Sequence, residues 1–247
     1  MPMTPAALWM HCMDNIKESI LINCENIHKV YDQGQSAVHA LRGVSFQIKV
    51  GQHVAIMGRS GSGKSTLLNI LGCLDKVTQG AYTFSGTDIS QLDDNELSQL
   101  RGKDMGFVFQ AFHLLPHLSL LENVALPLFY QGYSRKDRLQ EAMNALTIVD
   151  LAHRAKHSPN EISGGEKQRT AIARAIVHNP KVIFADEPTG NLDSSLKNEI
   201  LDHLCKLNKD LNITLVVITH DDDTAARAQR IIHFADGKIV DEAQKSE

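Results

Sequence analysis

The chain has 247 residues, of which 43% are apolar, and a formal net charge of −4. This length is typical of one large α/β domain, or of one domain that carries an inserted subdomain. The slightly acidic balance provides no overall positive field for nucleic acid. No apolar run approaches the ~18–20 residues of a membrane-spanning helix. We therefore expect no nucleic-acid partner, and any membrane span must come from another chain.

The first segment, residues 1–18, lacks the basic and long apolar regions of a signal peptide. We interpret it as a flexible N-terminal extension, within which Met10 or Met13 could equally be the true start. The cysteines show no CxxC spacing and are typical of reduced thiols in the cytosol. They are Cys12, Cys24, Cys73 and Cys205.

Two strand-like segments, residues 20–31 and 38–50, precede the most distinctive stretch, GRSGSGKST at residues 58–66. That stretch lies between an apolar strand-like run and a helical run. Its glycines allow backbone N–H groups to surround anionic oxygens, and the following helix directs its positive end at them. The pattern predicts a phosphate-binding loop. The loop residues are Gly58, Arg59, Ser60, Gly61, Ser62, Gly63, Lys64, Ser65 and Thr66.

The next elements are a strand near residues 80–86, a short polar helix at 92–102 and a buried strand at 105–110. Helical periodicity then begins, and we predict a helical subdomain inserted at about 111–180. One helix face is apolar. It carries Leu139, Met143, Leu146 and Val149.

The remaining pattern predicts a βαβ unit and a closing hairpin. Strands at 181–186 and 214–220 are separated by a helix at 196–211. The last two strands are expected to turn at residues 236–237.

Polar residues end several of the predicted strands. Asp186 and Glu187 follow one apolar strand, Gln110 ends a second and His220 a third. Because α/β folds bind ligands at the carboxyl ends of their strands, Asp186 is a candidate Mg²⁺ ligand beside the phosphate loop. Glu187 could polarise an attacking water. The alternative is a pair of carboxylates in an ordinary turn.

Residues 163–166 open the helix predicted at 163–179, and form a second candidate anion-binding helix terminus. One nucleotide cannot easily use both this terminus and the phosphate loop of the same chain.

Four further motifs accompany the phosphate loop in a fixed order. They are ISGGEKQR at 162–169, VIFADEP at 182–188, GNLDS at 190–194 and VVITHD at 216–221. Together they resemble the ATPase subunits of ABC transporters, from residue 20 to about 240. The resemblance implies an α/β fold in residues 19–247: a P-loop ATPase core, an antiparallel β subdomain and an inserted helical subdomain. It also implies ATP and Mg²⁺ as ligands and ATP hydrolysis as the reaction.

The resemblance assigns a role to each motif residue. Lys64, Glu187 and His220 would be catalytic, as phosphate-binding lysine, base and switch histidine. Mg²⁺ would be held by Asp186 with Ser65 and Gln110.

The second helix terminus would face the γ-phosphate bound by another copy of the chain, giving an ATP-sandwich homodimer. Its residues are Ser163, Gly164, Gly165 and Glu166. Asp193 matches the aspartate of the D-loop. Tyr31 fits the aromatic residue that stacks on adenine, with a surface or core tyrosine as the alternative.

Long stretches outside the motifs are similar to the group that serves macrolide export and lipoprotein release (MacB- and LolD-like). The resemblance implies a separate integral membrane permease and a peripheral location on the cytoplasmic face of the cell membrane. Residues 111–128 would form the groove that receives a permease helix. Its apolar candidates are Phe112, Leu114, Leu115 and Leu118, which could instead simply pack the insertion.

Two other classes stay open. One is a soluble ABC ATPase of DNA repair or translation, and the other is a non-hydrolysing regulatory subunit. The histidine pairs His113/His117 and His153/His157 are spaced for a metal but lack further ligands, so we interpret them as packing or solvated residues. The acidic run at 221–223 is expected to cap a helix.

Overall fold

A computed structural model describes residues 19–32 and 37–244 of the chain. The predicted extension, residues 1–18, lies outside them. The strands form two sheets. They are β1 (Ile20–Asp32), β2 (Ala37–Lys49), β3 (His53–Met57), β4 (Gln79–Phe84), β5 (Thr87–Asp88), β6 (Met105–Phe109), β7 (Val182–Asp186), β8 (Thr214–Thr219), β9 (Arg230–Ala235) and β10 (Lys238–Gln244).

The first sheet is antiparallel, in the order β2-β1-β4-β5. The second has the order β10-β9-β3-β8-β7-β6, in which only β10 runs antiparallel to its neighbour. Parallel strands are buried on both faces and accordingly carry nearly continuous apolar runs, as β3 and β8 do. The predicted βαβ unit and the closing hairpin, which turns at residues 236–237, are confirmed.

All the described α-helices except the first begin at a side-chain cap. The helices are α1 (Lys64–Leu71), α2 (Asp94–Asp104), α3 (Leu120–Tyr130), α4 (Arg135–Ile148), α5 (Gly164–Ile176), α6 (Ser194–Leu211) and the short α7 (Asp222–Ala225). Ser119 and Ser163 form capping boxes with the glutamates three residues later. Asp221 caps α7, as predicted for the acidic run.

Two hydrophobic cores lie on opposite faces of the six-stranded sheet. One contains α1 and the antiparallel sheet, with Phe184 and Phe234 from the strands. The other contains α3, α4, α5 and α6, with Val217 from the sheet. The apolar face predicted for α4 packs in this second core. Because α3 to α5 lie between β6 and β7 in sequence, the helical segment is anchored beside the strand ends that carry Gln110 and Asp186.

No helix in the described part of the chain is both long enough and apolar enough to cross a bilayer.

Candidate functional site

A cavity of about 1160 Å³ opens at the carboxyl edge of β3, β7 and β8. It brings together most of the residues that the sequence predicted. They are Tyr31, Arg59, Ser60, Gly61, Gly63, Lys64, Ser65, Thr66, Gln110, Asp186, Glu187 and His220. The cavity is also lined by Val38, Ala40 and Arg42 of β2 and by the turn at residues 236–237. Sequence reasoning missed these residues because the antiparallel sheet and the hairpin reach the cavity only through the tertiary fold.

The phosphate-binding loop is closely packed beneath the cavity. A Cβ at Gly58 would lie 2.2 Å from the carbonyl oxygen of Phe234, so only glycine fits this approach. Gly63 has a φ of 104° and directly precedes α1. The Lys64 ammonium donates to the carbonyl oxygens of Gly58 and Arg59, at 2.7 and 2.8 Å. The lysine is therefore held over the loop whose amides would surround a phosphate.

Two adjacent carboxylates face this lysine. Burial raises the pKa of Asp186, and the neighbouring Glu187 raises it further, while Lys64 opposes the shift. Burial lowers the pKa of Lys64, and the two carboxylates oppose that change. A half-buried acidic pair with one nearby cation is well suited to a divalent metal. The donor set of Asp186, the Ser65 hydroxyl and the Gln110 amide oxygen is the hard-oxygen set that Mg²⁺ prefers.

Glu187 is held in an unusual backbone conformation, with a φ of 45°. Its amide donates to the carbonyl oxygen of Ile218 at 2.9 Å, which fixes it between β7 and β8. Its carboxylate contacts Nδ1 of His220 at 2.6 Å and accepts from the Thr219 hydroxyl at 3.3 Å. Such strain at a carboxylate facing a cavity is typical of a functional position.

Gln110 is tied to the segment that follows β7. Its side-chain amide donates to Oδ1 of Asn191 at 3.1 Å, and Nδ2 of Asn191 donates back to the Gln110 carbonyl at 2.9 Å. A Cβ at Gly190 would lie 2.6 Å from Nε2 of Gln110. Asn191 belongs to the GNLDS motif, yet sequence reasoning gave it no role. This contact links Gln110, where the helical segment begins, to the turn that follows Glu187.

The second helix terminus lies outside the cavity. The Ser163 hydroxyl accepts from the Glu166 amide at 3.3 Å, and the Glu166 carboxylate accepts from the Ser163 amide at 2.9 Å. Nε of Arg154 lies 3.3 Å from the same carboxylate. None of residues 163–166 lines the cavity, and neither does Asp193, which caps α6. This part of the predicted site is separate from the phosphate loop of the same chain.

One histidine of each pair has a protein partner. The ring of His113 packs against Phe109, and Nε2 of His157 contacts Arg154. Within residues 19–32 and 37–244, no group of three or more histidine, cysteine, aspartate or glutamate side chains forms a metal cluster.

A second, apolar groove of about 1110 Å³ lies between β6, α2, α3 and α5. Its lining includes Phe107, Phe109, Pro127, Tyr130 and Tyr133, with Arg101, Lys103, Arg174 and His178 as its basic groups. None of the four apolar residues selected from the sequence lines this groove.

Those four residues lie in the neighbouring loop, where Leu115 is exposed and the others are half-buried. Phe112 and His113 both have positive φ values. Arg174 fixes them by donating to their carbonyl oxygens, at 2.7 and 2.5 Å.

The model of the ABC transporter family matches residues 41–190. The chain is 47% identical to the ABC transporter ATP-binding protein YknY of Bacillus subtilis, over 89% of this chain and 95% of that protein. The chain belongs to the ABC transporter family. It is also 47% identical to the macrolide export ATP-binding/permease protein MacB of Shigella flexneri. That match covers 89% of this chain but only 34% of the longer relative.

A solved relative supports the same assignment. The dimeric, post-hydrolysis ATP-binding cassette MJ0796, bound to ADP and Pi, superposes with a TM-score of 0.84. MJ0796 comes from Methanocaldococcus jannaschii. The two chains are 43% identical, over 92% of this chain and 100% of the other. The predicted family, fold and enzyme class are confirmed: this ABC ATPase domain binds and hydrolyses ATP.

Proposed function

We propose that this ABC ATPase hydrolyses Mg²⁺-ATP in a head-to-tail homodimer and drives a separate MacB/LolD-type permease at the cytoplasmic face of the membrane. The observation that carries the proposal is the division of the predicted site. The phosphate loop, Asp186, Glu187 and His220 line one cavity, whereas the Ser163 helix terminus lies outside it. The dimeric relative MJ0796 supports a second copy as the source of the missing half.

In this proposal the chain's own residues position the triphosphate and the attacking water. Amides of residues 60–65 and the Lys64 ammonium bind the phosphates. Glu187 accepts the proton of the water, and His220 fixes the Glu187 carboxylate through their hydrogen bond. Asp186, Ser65 and Gln110 would hold Mg²⁺, which would supply positive charge beside the phosphates.

The helix terminus at 163–166 supplies the missing donors to the nucleotide of the other copy. Free backbone N–H groups at a helix start favour an anion. The intramolecular bonds of Ser163 and Glu166 keep that start well ordered. Asp193, which caps α6, lies six residues after Glu187, and in this proposal it contacts the other copy.

The proposed permease contact is the apolar groove. It combines aromatic side chains with basic groups, and none of the described residues that line it is acidic. Such a surface fits a short amphipathic helix with apolar anchors. Similarity to MacB, whose name joins ATP-binding and permease functions, supports a permease as the partner.

The shared site is tested by mixing two inactive variants. Lys64→Ala removes the phosphate-binding lysine, and Gly164→Asp places a carboxylate at the helix terminus. A Cβ at Gly164 would lie 3.4 Å from Leu192, and an acidic residue in the first helical turn stabilises a helix. Gly164→Asp should therefore fold yet repel the γ-phosphate.

In a head-to-tail dimer the mixture restores one composite site, because the Gly164→Asp copy supplies a normal phosphate loop and the Lys64→Ala copy a normal terminus. With Glu187→Gln in both copies to retain nucleotide, the mixture should hold Mg²⁺-ATP on gel filtration, whereas neither variant does so alone. A mixture that holds no more ATP than its components, or wild-type phosphate release by Gly164→Asp alone, would reject the shared site.

A further inference from the structure

Tyr31 is fixed by its hydroxyl to the segment that follows the phosphate-loop helix. The hydroxyl donates to Oδ2 of Asp75 at 2.7 Å. Asp75 follows the end of α1 and comes from a part of the sequence remote from β1. The tyrosine is thereby connected to the same helix whose first residues bind phosphate.

Lys29 completes a three-residue cluster with this pair. Its ammonium donates to Oδ1 of Asp75 at 2.5 Å and to the carbonyl oxygen of Lys76 at 2.8 Å. Lys29 and Tyr31 both reach this one carboxylate, so their side chains lie on the same side of β1. The Asp75 carboxylate therefore receives both side chains at once, one on each oxygen.

The cluster is mostly shielded from water. The Lys29 side chain is 11% exposed and that of Asp75 is 28% exposed. Burial acts to raise the pKa of Asp75, but the hydrogen bonds from Lys29 and Tyr31 bring it below its usual value. Burial and the Asp75 carboxylate raise the pKa of Tyr31. At neutral pH the carboxylate can only accept and the phenol donates, which fixes the direction of their bond.

Lys29 also determines which face of the tyrosine is available. Its ammonium lies 4.8 Å from the centre of the Tyr31 ring and covers one face. Tyr31 lines the nucleotide cavity together with Val38 and Thr66. A planar ligand in the cavity therefore has only the opposite face of the ring to stack on.

We propose that Lys29 and Asp75 are positioning residues for the nucleotide base: they hold the Tyr31 ring as a one-sided stacking surface at a fixed distance from the phosphate loop. This inference rests on the proposed ATP site and adds two residues that no motif of the sequence contains. They act on the base through Tyr31 and do not touch the phosphates.

The test compares two ligands that share phosphates but differ in the base. Binding of Mg²⁺-ATP and of Mg²⁺-tripolyphosphate is measured by calorimetry for wild type, Asp75→Asn, Tyr31→Phe and the double variant. Losing an ordered stacking contact should weaken ATP binding by ~3–10-fold. Tripolyphosphate affinity should change by less than ~2-fold, since its contacts lie in the loop.

Further readouts separate positioning from a general structural role. Steady-state hydrolysis of Asp75→Asn should show a raised KM for ATP at an unchanged kcat. The double variant should be no weaker than the worse single variant, because both changes act on the one contact between Tyr31 and Asp75. Asp94→Asn is the matched control, since Asp94 pairs with the adjacent Lys76 on the surface. Tyr31→Phe keeps the ion pair between Lys29 and Asp75, so this variant alone is sufficient for the test if Asp75→Asn proves unstable.

Equal weakening of ATP and tripolyphosphate binding would overturn the inference, as would additive effects in the double variant. Wild-type binding of both ligands by both single variants would also overturn it, while leaving the ATPase site intact. The proposed ATP site itself fails on a different result, namely wild-type binding of both ligands by Lys64→Ala.

Discussion

Nδ1 of His220 lies 2.6 Å from Oε1 of Glu187, across the carboxyl ends of two adjacent parallel strands. Glu187 is half-buried and His220 is exposed, so the histidine covers the carboxylate from the solvent side. A carboxylate held in this way keeps one orientation toward the cavity. The arrangement makes the Glu187 carboxylate the group that an attacking water would meet beside the phosphate loop.

We expect Glu187→Gln to bind ATP but to hydrolyse it at least ~100-fold more slowly, because an amide cannot accept the proton of the water. The variant should accumulate as an ATP-bound dimer, which light scattering detects. Glu161→Gln, the same change at an exposed turn, is the control. Turnover at the wild-type rate in Glu187→Gln would remove Glu187 from the role of base.

We expect the stability of the folded protein to depend on acid pH through Asp221, the residue that follows His220. Asp221 accepts from Lys197 at 2.7 Å and from the Thr224 amide at 2.7 Å. Burial acts to raise the pKa of Asp221, but these hydrogen bonds bring it below its usual value. Because the folded-state pKa lies below the unfolded one, the stabilisation is complete above about pH 4 and is lost as the pH falls through the folded value.

Asp221→Ala should therefore lower the unfolding free energy at pH 7 by about 1 kcal/mol, typical of a lost helix cap. The difference from wild type should shrink in urea titrations at progressively lower pH. A difference that stays constant down to the acid limit would show that the carboxylate charge is not what stabilises α7.

Local patterns were sufficient to predict the strands other than the two-residue β5, most helix starts and the phosphate loop. The phosphate loop is contiguous, and Asp186 is recognisable because a carboxylate ends an apolar run. The positive φ of Glu187 and the Arg174 contacts to the loop after Gln110 depend on the tertiary fold, so no local pattern contains them. The same holds for the bond between Lys29 and Asp75, which are 46 residues apart.

The surface that we propose for the permease was the part of the site least accessible to sequence analysis. The sequence showed an apolar segment, but not that its polar backbone would be fixed into a loop. The groove that we propose as the docking surface is built from α2, β6, α3 and α5, which span residues 94–176. Apolar composition alone does not distinguish a docking surface from a neighbouring loop.

We expect Tyr130→Glu to weaken binding of the cognate permease by at least ~10-fold, the scale of an interface anchor. Tyr130 is 83% exposed and lines the groove, so the change should leave folding and Mg²⁺-ATP binding of the isolated subunit intact. Leu115→Glu makes the same kind of change in the neighbouring loop, which the sequence analysis selected as the permease contact. Comparing the two variants shows which surface the permease binds.

Co-purification with the permease is the measurement, and Val240→Glu is the matched control. Val240 is 62% exposed on the edge strand β10 and lies away from the groove. Loss of binding in Leu115→Glu with normal binding in Tyr130→Glu would move the contact from the groove to the loop.

The loop after Gln110 depends on one completely buried side chain in α3, Asn123. Its Oδ1 accepts from the Leu115 amide at 2.7 Å, and its Nδ2 lies within 3.0–3.2 Å of the carbonyl oxygens of Leu115, Leu118 and Ser119. Asn123→Ala leaves these backbone groups without their partner, which should cost about 2–3 kcal/mol. For a domain of this size, that corresponds to a fall of roughly 4–12 °C in Tm.

Asn144→Ala, the same substitution at an exposed position of α4, should leave Tm nearly unchanged. Because the loop joins Gln110 to α3, Asn123→Ala should also increase amide exchange at residues 111–119 before global unfolding. If Asn123→Ala showed wild-type amide exchange at residues 111–119 and an unchanged Tm, Arg174 rather than Asn123 would be the residue that holds the loop.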